Sequence, residues 1–106
     1  MKRGEIWWVD FEPARGSEVK KRRPAIILTD NALNRARRTV VVIPLSSSPN
    51  PIAPVVIPIP SAGLTSIAVV DQIRAVDKTR LTEKIGVLKE SELRALEKSL
   101  AQVLCL

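Results

Sequence analysis

The apolar residues of this chain come in short, β-branched runs cut apart by proline, glycine and charge, and only at the carboxy end does their spacing lengthen to a helical period. Residues 5–11 (EIWWVDF), 24–29 (PAIILT) and 39–45 (TVVVIPL) are rich in aromatic and branched types and too short for helices, so they read as strands. Residues 66–70, 72–76 and 83–88 continue the series. From Glu90 to Leu104 the pattern changes: Leu93, Leu96, Leu100, Val103 and Leu104 share one face, with Arg94, Glu97 and Lys98 elsewhere. That spacing predicts an amphipathic helix, with Glu90 and Glu92 at the positive end of its dipole. Six to seven short strands followed by a helix predict a mainly β (α+β) fold, a small antiparallel barrel, in a single domain spanning residues 1–106.

Proline refines the pattern. Five of the eight prolines fall within residues 49–60, which predicts an extended loop with at most a short edge strand near Val55 to Ile59. Pro44 cannot donate a ladder hydrogen bond, so a bulge or sheet edge is expected there, and the strand is expected to end where Ser46, Ser47 and Ser48 begin.

The chain has no histidine and no tyrosine. The missing imidazole excludes a Ser-His-Asp triad, a Cys-His dyad and a two-histidine nuclease, leaving Arg, Lys, Glu, Asp, Ser and Thr to carry any catalysis. A lone Cys105 forms neither an intrachain disulfide nor a four-ligand zinc site, so no metal or cofactor is expected. The amino-terminal segment meets Glu5 and Asp10 before any apolar run long enough for a signal peptide or membrane span, and a soluble, cytoplasmic protein without membrane contact is the expectation.

Net charge is +6, from 17 Lys and Arg against 11 Asp and Glu. Residues 1–50 hold ten basic and five acidic residues (+5) and residues 51–106 hold seven and six (+1), so the first half is expected to face a polyanion. Its densest part is Lys20-Lys21-Arg22-Arg23 before Pro24. A basic run is commonly a solvated loop, but Pro24 biases Arg23 to extended backbone at the mouth of a strand, where a held guanidinium suits a phosphate. Three consecutive serines commonly mark a turn, and their functional reading requires a hydroxyl near Arg23. Trp7 and Trp8 must point to opposite sides of a strand, one into the core, and with three aromatics in the chain base stacking is the less favoured use.

Taken in order, Arg3-Gly4-Glu5-Ile6-Trp7 with Val9-Asp10-Phe11, then GSEVKKRRPAIIL, TVVVIPLSS, Gly63-Leu64 and VDQIRAVDKTRL resemble the signature of MazF/PemK-type toxins. These are endoribonucleases of type II toxin-antitoxin pairs. The resemblance spans nearly the whole chain and implies an SH3-like barrel of the CcdB/PemK type with a carboxy-terminal helix, a homodimer, and metal-independent, sequence-specific cleavage of single-stranded RNA such as mRNA. It also implies an acidic MazE-like antitoxin that competes for the basic groove.

Carried over by position, Arg23 corresponds to the family's catalytic arginine, Ser46 to its hydroxyl residue after the third strand, and Glu18 to its acidic first-loop residue. Relatives usually have Thr at the Ser46 position; Ser47 and Ser48 are alternatives if the loop register shifts, and Arg22 competes with Arg23. Lys20, Lys21, Arg22, Ser17, Ser47 and Gln72 are the expected RNA contacts. Two other readings stand beside this one. A gyrase poison of the same fold is disfavoured because the chain ends AQVLCL, without the tryptophan such relatives use. A non-catalytic basic RNA-binding module is the other.

Overall fold

The computed structural model describes residues 1–13, 15–16, 21–47 and 55–106. Ser17, Glu18, Lys20 and Ser48, expected at the site, lie outside the described residues, as does the first part of the proline-rich loop. The apolar runs form strands β1 (Glu5–Asp10), β2 (Arg22–Ile27), β3 (Thr39–Ser46), β4 (Val56–Pro58), β5 (Ile67–Val69), β6 (Arg74–Asp77) and β7 (Leu81–Val87). The described residues also form two α-helices, α1 (Asn31–Ala36) and α2 (Glu90–Val103), and three 3-10 turns.

All pairings are antiparallel, in the order β4-β5-β3-β2-β1-β7, with β6 added to β3. Strand β3 is the hub. It pairs β2 along one edge, while on the other its first half (Thr39 to Val42) pairs β6 and its end (Leu45, Ser46) pairs β5. Among the described residues no pairing joins β7 to β4, so the expected seven antiparallel strands and terminal helix are present, but the sheet is open rather than closed into a barrel.

Four details differ from the sequence reading. Pro44 is buried in the hub strand opposite Ala25, not at an edge; it falls between the stretch paired with β6 and the stretch paired with β5. Strand β3 continues through Ser46, which pairs with Ile67, because β5 supplies a partner there. Gln72, expected to open a strand, closes a 3-10 turn at Val70–Gln72. The polar connection before β3 contains α1, started by the Asp30 carboxylate, which accepts from the Ala32 N–H at 2.9 Å.

Because strand side chains alternate, β1 to β3 bury residues on both faces. Ile6, Ile26, Ile43 and Leu45 join Ile57, Ile59, Ala68, Val70 and Leu96 in one cluster, which α2 covers with Leu96, Leu100 and Val103. Val9, Phe11, Ala25, Ile27, Val40, Val42, Val76 and Leu81 form the other. Leu104, expected on the buried helix face, follows the last turn and is exposed. No helix among the described residues is long and apolar enough to cross a membrane.

Candidate active site

Register brings the candidate residues together. The β2–β3 pairing sets Ala25 opposite Pro44 and Ile26 opposite Ile43; continued two residues, it sets Arg23 across from Ser46. The β3–β5 pairing sets Ser46 opposite Ile67; continued one residue, it sets Ser47 across from Ser66. These positions, with Trp8, Pro24 and Leu45, line an open cleft of about 220 Å³. A guanidinium and several hydroxyls around an open cleft can bind a phosphodiester through charge-assisted hydrogen bonds.

The structure separates the two competing arginines. Arg22 is committed: its guanidinium lies 4.6 Å from the Trp8 ring centroid, its Nε donates to Thr82 Oγ1 at 3.1 Å, and it pairs with Glu83 at 3.5 Å. The β1–β7 register skips Thr82, and this bulge is what frees its hydroxyl to reach Arg22. Arg23 is half-buried at the cleft, and among the described residues no hydrogen bond or ion pair holds its guanidinium. Arg22 is thus braced by described neighbours, whereas the Arg23 guanidinium is not.

Lys21 is exposed with φ +67°, a left-handed conformation at the point where the first loop turns into β2. Its backbone closes the base of that loop: Phe11 N–H donates to the Lys21 carbonyl at 3.0 Å, and Lys21 N–H donates to Glu12 Oε1 at 2.7 Å. Arg80 holds the other side, donating to the carbonyls of Asp10, at 3.1 Å, and Glu12. Residues 10–12 are thereby tied to Lys21 and Arg80.

The opposite wall rests on a turn. Gly63 has φ +141°, which favours glycine, and a Cβ there would stand 3.2 Å from the Ser66 hydroxyl. Ser66 N–H donates to the Gly63 carbonyl at 3.1 Å and its own carbonyl accepts from Ile59 N–H at 2.9 Å, so the hydroxyl is carried on an ordered backbone. The preceding 3-10 turn (Pro60–Ala62) is clasped to α2 by buried Glu92, which accepts from Ser61 N–H at 2.9 Å, the Ser61 hydroxyl and Lys89 N–H at 2.8 Å. Burial pushes the Glu92 carboxyl up, but these donors outweigh it and hold it below its ordinary value.

Arg23, Ser46 and Ser47 thus line one cleft, whereas half-buried Gln72 is not among its lining residues. Four lining residues, Trp8, Pro24, Leu45 and Ser66, were not among the expected site residues. Ser66 carried no local signal, because its place depends on the β3–β5 register. Trp8 did: alternation sends it to the side opposite Trp7, whose indole packs on the core and donates to Glu5 Oε1 at 2.9 Å.

Residues 2–104 match a family described as PemK-like, MazF-like toxin of type II toxin-antitoxin system. The endoribonuclease MazF9 of Mycobacterium tuberculosis is 34% identical over 110 residues, covering 94% of this chain and 92% of that protein. Endoribonuclease PemK of Escherichia coli is 46% identical over 50 residues, covering 47% of this chain and 38% of that one. MazF from Deinococcus radiodurans shares the fold, with a TM-score of 0.88 at 24% identity over 100% of this chain and 97% of that chain. An endoribonuclease in complex with its cognate antitoxin, from a Mycobacterial species, gives a TM-score of 0.84 at 25% identity over 100% and 96%.

Proposed function

The chain belongs to the PemK-like, MazF-like toxin family of type II toxin-antitoxin systems, and from that membership we propose that it is a sequence-specific endoribonuclease that cuts single-stranded RNA without a metal ion. The observation that carries the proposal is the meeting of Arg23 and Ser46 at one cleft, with the Arg23 guanidinium uncommitted among the described residues.

A chain without histidine can cleave RNA because the substrate brings its own nucleophile. The ribose 2′-hydroxyl attacks the adjacent phosphorus and Glu18 accepts its proton. Arg23 binds the phosphate and stabilises the charge building on its nonbridging oxygens, while the Ser46 hydroxyl donates to one of them and fixes its position. The P–O5′ bond breaks, leaving a 2′,3′-cyclic phosphate and a 5′-oxygen protonated by water, since a guanidinium holds its protons too tightly to be a good acid. Lys20, Lys21 and Arg22 attract the RNA, and Ser17, Ser47 and Gln72 complete its contacts.

The protein works in the cytoplasm as a homodimer, whose formal charge is twice +6, or +12, so RNA affinity falls steeply as salt rises. Its partner is an acidic MazE-like antitoxin whose tail neutralises the basic groove.

Mapping cut ends on total RNA in excess EDTA tests the reading. Full activity in EDTA, 5′-hydroxyl ends, no cutting of a 2′-deoxy analogue and loss of cutting in Arg23→Ala are expected. Equal cutting of RNA and its 2′-deoxy analogue overturns the mechanism; binding without cleavage, or trapped gyrase–DNA complexes, overturns the function.

A further inference from the structure

We infer that Trp8 is the base-binding wall of the cleft: its indole receives the face of a nucleobase beside the scissile phosphate and contributes to the choice of cut site. The inference rests on the ribonuclease reading above and names the part of the substrate that the cleft's apolar side takes.

Trp7 and Trp8 differ in what satisfies them. Trp7 packs on the core and its Nε1 donates to Glu5. Trp8 lines the same cleft as Arg23 and Ser46, is half-buried, and its Nε1 has no hydrogen-bond partner among the described residues. That nitrogen is not fully enclosed either, since among the described residues Asn34 Oδ1 alone is a fully buried side-chain atom without a partner. The ring is also held in place. Arg22 lies 4.6 Å from its centroid and is itself tied to Thr82 and Glu83, so little rotamer entropy is left to lose on binding.

An indole beside a phosphate-binding guanidinium matches the two chemistries of a nucleotide, a charged backbone and an apolar π-face. Pro24 and Leu45 extend the apolar wall, and the hydroxyls of Ser47 and Ser66 can meet a base edge.

The chain has two tryptophans, so Trp7→Phe leaves Trp8 as the sole indole fluorophore. The probe is a 2′-O-methyl oligonucleotide spanning a mapped cut site, which binds but lacks the free nucleophile. Saturable quenching of Trp8 emission is expected, with no change in Trp8→Phe, where Trp7 reports alone. In the otherwise native chain, Trp8→Ala should weaken probe binding about five- to 150-fold, raise KM more than it lowers kcat, and broaden the set of cut sites; Trp8→Phe should recover most of the affinity.

Probe binding seen by anisotropy without a Trp8 signal, or a Trp8→Ala variant with native KM and native cut sites, overturns the inference while leaving the ribonuclease reading intact. A wild-type protein that cuts no RNA and binds none overturns both.

Discussion

The two ends of β3 solve opposite problems. At the Thr39 end, most polar groups are paired with one another: Asn34 Nδ2 donates to the Thr29 carbonyl at 2.8 Å, Thr29 Oγ1 accepts from Val41 N–H at 2.8 Å, and Lys78 donates to the Asn34 carbonyl, which leaves Asn34 Oδ1 as the one fully buried side-chain atom without a partner among the described residues. At the Ser46 end, the hydroxyls of Ser46, Ser47 and Ser66 and the guanidinium of Arg23 have no hydrogen-bond partner among the described residues, and all of them line a cleft. Satisfied polar groups hold the fold, since leaving a buried one unpaired costs about 1 to 3 kcal/mol. Polar groups left open at a rim remain available to a ligand.

The largest effect should come from the open end. Arg23→Ala is expected to lower RNA cleavage about a hundred- to thousandfold while moving the midpoint of denaturant unfolding little, since the guanidinium bonds to none of the described residues. A large loss of stability in that variant would erase the contrast between the two ends.

Glu5 sharpens the contrast with a charge that is fully committed. Burial raises its pKa, but donors from Trp7, the Lys2 backbone and Lys84 outweigh it and hold the carboxyl at about 2, below its ordinary 4.5. A lowered carboxylate pKa stabilises the fold above the unfolded value and ceases to do so as pH falls from about 4.5 through about 2. Glu5→Gln should therefore cost up to about 3 kcal/mol at neutral pH and flatten the acid limb of the stability curve, measured by urea unfolding between pH 2 and 7.

Ser46→Ala should reduce cleavage roughly tenfold or more, the value of one hydrogen bond to a charged oxygen, with Ser46→Thr retaining activity. If Ser47→Ala is the damaging change instead, the hydroxyl that meets the phosphate lies one residue further on. The smallest effect belongs to the closed end: Asn34→Ala should destabilise the fold by about 1 to 2 kcal/mol in thermal or urea unfolding, with cleavage per folded molecule unchanged.

Much of this contrast could be read along the chain. The alternating runs located β1, β2 and β3 to within a few residues, and the 3.6-residue spacing located α2, because such periodicities need no partner to be visible. Arg23 was marked by Pro24 and the serines by their position after a strand. The rest was hidden for physical reasons. Asp30 caps a helix of six residues, too short to establish a period. Pro44 could be read as an edge residue because nothing local reveals that one strand changes partners beside it.

What the chain alone determined was therefore local: which segments extend, which one coils, where the basic charge lies, and which catalytic chemistries the missing histidine excludes. The tertiary structure decided which arginine is tied and which is open among the described residues, that Ser66 and Ser47 line one cleft, that no described strand closes the sheet, and that Trp8 faces the cleft while Trp7 packs on the core. The reason is register. A side chain's direction follows from its own strand, but its neighbours follow from how strands distant in sequence align, and a shift of one residue there would exchange every face.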